Sequence, residues 1–126
     1  MTGLSIVLIG SVANFNTGQP DEATRMIRVR IGGAEYDLAD VSESWVNEQI
    51  GRRRSDGVPV CVQVIIRTSE INVMLSTPGC GNAGGDRPPN TQENEILGLW
   101  GQMHLDREDF TGGNMIAFLK RVRSYI

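Results

Sequence analysis

Two cysteines, one histidine and one lysine are all that the 126-residue chain holds of three chemically versatile side chains. Two thiols are too few for a disulfide-scaffolded domain or a thiolate zinc centre, and a lone imidazole, His104, is poor material for a metal site. No metal and no other cofactor are therefore expected. Long apolar runs are also missing: nothing approaches the ~20 residues of a membrane span, which argues against a membrane partner. The apolar stretch at residues 4–9 is short for a signal core and no Lys or Arg precedes it, so it reads as a buried first strand. Net positive charge is absent as well. A formal charge of −3 and a pI near 5.1 argue against a nucleic-acid partner. The expectation is a single globular domain over residues 1–126, cytoplasmic, with reduced thiols.

What is present is periodic. Residues 4–9 are apolar on both alternating faces and end at Gly10, and residues 11–24 read as an irregular connection. Ile27 to Ile31 and Ala34 to Leu38 flank Gly32-Gly33, a two-residue turn in which both central residues accept positive φ. That turn sets Arg30 against Glu35 and Arg28 against Asp37, giving both arginines a cross-strand role. A helix follows, opened by Asp40 with Glu43 as a capping box, carrying Val41, Trp45, Val46 and Ile50 on its apolar side and ending at Arg52-Arg53-Arg54. Val58 to Ile66 and Ile71 to Thr77 alternate. With a turn over residues 67–70, Ile66 faces Ile71, Val64 faces Val73 and Val62 faces Leu75. Asn90, with Glu93 three residues on, opens a helix behind Pro88-Pro89 that carries Ile96, Leu97, Trp100, Met103 and His104. Residues 105–113 connect to a last helix beginning at Asn114. The fold class expected is α+β, a mainly antiparallel sheet of about five strands with about three helices, in the order β-ββ-α-ββ-α-α.

Residues 79–90, Gly-Cys-Gly-Asn-Ala-Gly-Gly-Asp-Arg-Pro-Pro-Asn, form a connection longer than a compact domain keeps without a use for it. Cys80, Asn82, Asp86 and Arg87 are the candidate ligand or partner contacts there. Arg87 offers five fixed donors to a carboxylate or phosphate. Cys80 is the one candidate nucleophile, with neighbouring glycine N–H groups to stabilise a thiolate, but its only imidazole partner, His104, sits far along the following helix. In the expected register Cys61 lies opposite Ser76, leaving Cys80 roughly 13 Å further along a straight strand, so a bridge needs Pro78-Gly79 to turn the chain back. The glycines and Arg87 also suggest an anion nest, yet the Lys-Ser/Thr end of a phosphate loop is absent and Pro88-Pro89 removes two backbone donors.

The last 47 residues, with Gly84-Gly85-Asp86-Arg87-Pro88-Pro89-Asn90, Glu93, Leu99-Trp100 and Asn114-Met115-Ile116-Ala117-Phe118-Leu119, are similar to small accessory domains attached to bacterial regulatory and conflict-system proteins. That resemblance implies an interaction module and carries over no functional residue. Two functions follow as expectations. One is a non-enzymatic interaction or regulatory domain that uses the glycine-rich loop 79–90 to meet a protein partner, with a homodimer also compatible. The alternative is a small hydrolase or transferase using Cys80, with Asp86 and Arg87 holding substrate.

Overall fold

Gly32 and Gly33 adopt φ of 64° and 85°, the left-handed pair a two-residue hairpin demands, and join β1 (Ile27–Ile31) to β2 (Ala34–Asp37). The register is the expected one, with Arg28 opposite Asp37 and Arg30 opposite Glu35. Arg28 pairs with both Asp37 and Glu35, and Arg30 reaches Glu35 at 3.4 Å, so both guanidinium groups are spent on the outer face of the sheet. This computed structural model describes residues 21–81 and 87–126; the strand expected at 4–9 lies outside them.

Among the described residues the sheet has four strands rather than about five, in the order β2-β1-β3-β4, every neighbouring pair antiparallel. β3 is Val62–Arg67 and β4 is Asn72–Ser76. Ile27, Val29, Ile31, Val62, Val64, Ile66 and Leu75 line one face, where α2 (Glu43–Ser55), α3 (Thr91–Gln102) and α4 (Gly112–Tyr125) supply Val46, Ile50, Ile96, Trp100, Met115, Phe118, Leu119 and Val122 to the same core. The fold is α+β, as the pattern of elements implied.

Several expectations are corrected at element ends. A short helix, α1 (Glu22–Arg25), occupies part of the connection expected to be irregular, capped by Asp21, whose Oδ1 accepts from Thr24 N–H at 2.8 Å. Asp40 does not open α2. It closes a single 3-10 turn, Leu38–Asp40, and Ser42 is the cap, its Oγ accepting from Trp45 N–H at 3.2 Å. The extra turn lets Leu38, Ala39 and Val41 all be buried before the helix begins. Half-burial, and then the charge of Asp37, raise the Asp40 carboxyl above its ordinary value. α4 starts earlier than Asn114, at Gly112, because Thr111 Oγ1 accepts from Asn114 N–H.

The second hairpin keeps its expected faces but slips by two residues. Ile66 pairs with Val73 and Val64 with Leu75. Thr68 makes the difference. Its N–H donates to Ile71 O at 2.8 Å while its Oγ1 accepts from the N–H groups of Glu70 and Ile71, closing the turn one residue later. A slip of two preserves side-chain parity, so the apolar faces still coincide.

Arg52-Arg53-Arg54 ends α2 as expected of a cationic C-terminus. Arg52 pairs with Glu48, Arg53 bonds Gln49, and Arg54 donates to the carbonyls of Glu108 and Phe110 while lying over the Phe110 ring.

Candidate functional site

The two ends of the glycine-rich segment are built very differently from the flexible loop its composition suggests. At the first end, β4 runs into Thr77, which is buried. Its N–H donates to Val62 O, and its Oγ1 accepts from Val62 N–H at 2.9 Å and donates to Val60 O at 3.3 Å. The register slip has already moved Cys61 two residues nearer Cys80. A 3-10 turn, Pro78–Cys80, then reverses the chain, with Cys80 N–H on Thr77 O and Gly81 N–H on Pro78 O. A Cβ on Gly79 would lie 2.0 Å from Val60 O, so only glycine lets the turn pack this closely. The result is a disulfide between Cys61 and Cys80, with Cα atoms 4.5 Å apart.

That bond corrects two expectations. The thiols are not reduced, since neither cysteine is free. Cys80 in this state offers no thiolate, so the cysteine-nucleophile reading has lost its one nucleophile. Its presumed base fares no better. His104 lies beyond the end of α3, exposed, with φ of 62°.

At the second end the anchor is a carboxylate. Glu93 sits at N3 of α3 and is only 1 % exposed. Arg87 meets it with both terminal nitrogens, Nη1 to Oε1 and Nη2 to Oε2, each at 2.7 Å. Asn72 N–H donates to Oε2 at 2.8 Å and Asn90 N–H to Oε1 at 2.9 Å, while Asn90 Oδ1 accepts from Glu93 N–H to complete the expected capping box. Arg87 Nη2 also donates to Asn72 O at 2.8 Å, and Asn90 Nδ2 to Glu70 O at 2.8 Å. The Arg87 guanidinium first, then the backbone donors of Asn90 and Asn72, hold the Glu93 carboxyl down at about 2. It is ionised at neutral pH with both oxygens saturated, which suits an anchor and not a general base.

Arg87, expected to offer its fork to a carboxylate or phosphate, meets a carboxylate of its own chain and positions the end of the segment. Asn82 and Asp86 lie outside the described residues, so of the four expected contacts the structure places Cys80 and Arg87 alone. Sequence reasoning missed Glu93 as more than a cap. The signal was present: Glu93, Ile96, Leu97 and Trp100 fall at i, i+3, i+4 and i+7, putting a charge on an apolar stripe where a buried carboxylate requires a partner.

No group of three or more His, Cys, Asp or Glu side chains suited to a metal occurs among the described residues, and no described helix is long and apolar enough to cross a membrane. A cleft of about 390 Å³ lies between α3 and α4, over Ile96, Leu99 and Val122, with Glu95, Arg121 and Tyr125 at its rim. Comparison with protein-family models, curated proteins and solved structures finds no match.

Proposed function

We propose that this chain is a non-enzymatic interaction or regulatory domain, with residues 79–90 as its contact surface and a protein as its partner. One observation supports the reading: the segment is anchored at both ends, by the Cys61–Cys80 bridge on one side and by the Arg87–Glu93 pair on the other. Fixing the ends of a polar connection in advance reduces the conformational entropy lost when a partner binds it. Cys80 and Glu93 are thereby committed to holding the chain.

The test spares both anchors. Asn82→Ala with Asp86→Ala is compared with wild type as bait for proteins of the source cell, beside the melting temperature of each bait. Loss of a captured protein at unchanged melting temperature supports the assignment. Identical capture by the two baits shows that binding, if any, uses another surface.

A further inference from the structure

The two anchors of residues 79–90 differ in chemistry. Arg87 and Glu93 are held by charge and hydrogen bonds, whereas the other end is tied by a covalent bond between sulfurs. The remaining support at that end divides sharply at Thr77. Thr77 is buried and bonded to Val60 and Val62 through its N–H and its hydroxyl, so the end of β4 keeps its place whether or not the sulfurs are joined. The residues after it are held differently. None of Pro78, Gly79 and Cys80 is buried, and the bonds of their turn, Cys80 N–H on Thr77 O and Gly81 N–H on Pro78 O, have the poorer geometry of the 3-10 form. Gly79 lets the turn approach Val60 but brings no side chain to hold it there. Beyond the bond, Cys80 Sγ makes contacts of 3.8 Å to Val62 O and to Thr77 Oγ1, and sulfur is a weak hydrogen-bonding atom.

The bond is thus the main tie of the turn and a minor tie of the domain. The hairpin it spans is already aligned by strand pairing, from Gln63 opposite Ser76 to Arg67 opposite Asn72. Both cysteines are half-buried and neither belongs to the core. Exchange at the sulfurs therefore leaves that core intact.

We propose that the Cys61–Cys80 bridge is a redox latch on residues 79–90, opened by a low-molecular-weight thiol. The thiolate attacks one sulfur and the S–S bond breaks. That sulfur passes into a mixed disulfide while the other leaves as a thiolate and takes up a proton. A second thiol attacks the mixed disulfide and completes a two-electron reduction, giving two protein thiols and one small-molecule disulfide. The small-molecule disulfide reverses both steps. With the bond open, residues 78–81 come away from residues 60–62, while Thr77, the β3–β4 pairing and the Arg87–Glu93 pair stay in place. The segment is then held at one end instead of two. This release stands on the contacts around the bridge; its bearing on binding rests on residues 79–90 being the contact surface. There the latch acts through entropy, because an end set free must be ordered again when a partner binds, and the reduced form binds more weakly.

The chain has two cysteines, so alkylation counts the reduced sulfurs directly. Native protein treated with mercaptoethanol should become alkylated at both, at a rate proportional to thiol concentration and unmoved by low urea, and should close again on treatment with the disulfide of mercaptoethanol. Backbone order parameters from nuclear magnetic resonance then read the latch with no partner present, so a wrong contact surface leaves them unchanged. For Cys80 and Gly81 they should fall from about 0.85 to below about 0.6 on reduction, while Thr77, Asn72 and Glu93 stay at about 0.85. Cys61→Ala with Cys80→Ala, which cannot close, should give low values at positions 80 and 81 with or without thiol. Three results overturn the proposal. Reduction that accelerates steeply with urea means that the bond opens through unfolding. Loss of dispersed signals on reduction means that the domain unfolds with the bond. Unchanged order parameters at Cys80 and Gly81 mean that the turn holds without it.

Discussion

Glu93 concentrates more of the local design than any other side chain. A carboxylate at 1 % exposure is tolerable only because Arg87, Asn72 and Asn90 together supply four donors. Its pKa of about 2 lies below the ordinary 4.5, so the stability it contributes is complete above about pH 4.5 and is lost as pH falls toward 2. Wild-type protein should therefore lose stability across that window. Glu93→Gln should be less stable at neutral pH and show a flatter profile between those limits in acid-dependent chemical denaturation. Parallel profiles would assign the acid sensitivity to other carboxylates. The neighbouring arginine follows the same logic, since removing it strands a buried charge, whereas the exposed Arg52–Glu48 pair is worth only about 0.3–0.5 kcal/mol.

At the scale of the element, the end of α3 shows how one backbone position shapes a helix. Met103 is the last half-helical residue and His104 follows it in the left-handed region; Leu105 N–H then donates back to Trp100 O at 3.1 Å and His104 N–H to Gly101 O at 3.0 Å. Buried Leu105 is thereby folded onto the helix that carries buried Trp100. Glycine normally fills the His104 position because a Cβ is strained there. His104→Gly should raise stability by about 0.5–1 kcal/mol, the relief being partly offset by the freer unfolded chain. Thermal melting checks it. An unchanged or lower melting temperature would mean that the imidazole contributes something the helix end needs.

For the molecule as a whole, the Cys61–Cys80 bridge is the one covalent tie, closing a span of 19 residues around the β3–β4 hairpin. Loop closure of that length stabilises by about 3 kcal/mol in the chain-entropy account. Because Thr77 and the close seat of Gly79 on Val60 hold the same junction without covalent help, Cys61→Ala with Cys80→Ala should fold, with unfolding free energy lower by about 2–4 kcal/mol. Urea denaturation reads the difference; a variant that fails to fold would show that the junction depends on the bond. The sequence by itself determined what short-range periodicity controls. The first hairpin and its register followed from Gly32-Gly33 and the facing charges, the start of α3 from Asn90 and Glu93, and the α+β class from the alternation of periods 2 and 3.6. Tertiary structure alone decided the rest. Alternation specifies which face of a strand is buried but is blind to a slip of two, so the β3–β4 register waited on how Thr68 closes its turn, and with it the distance between the cysteines. A guanidinium and a carboxylate six residues apart carry no label for each other or for a ligand. Arg87 became an anchor because packing α3 against the edge of β4 took Glu93 out of water, and a charge removed from water must be paired by whatever the fold brings within reach.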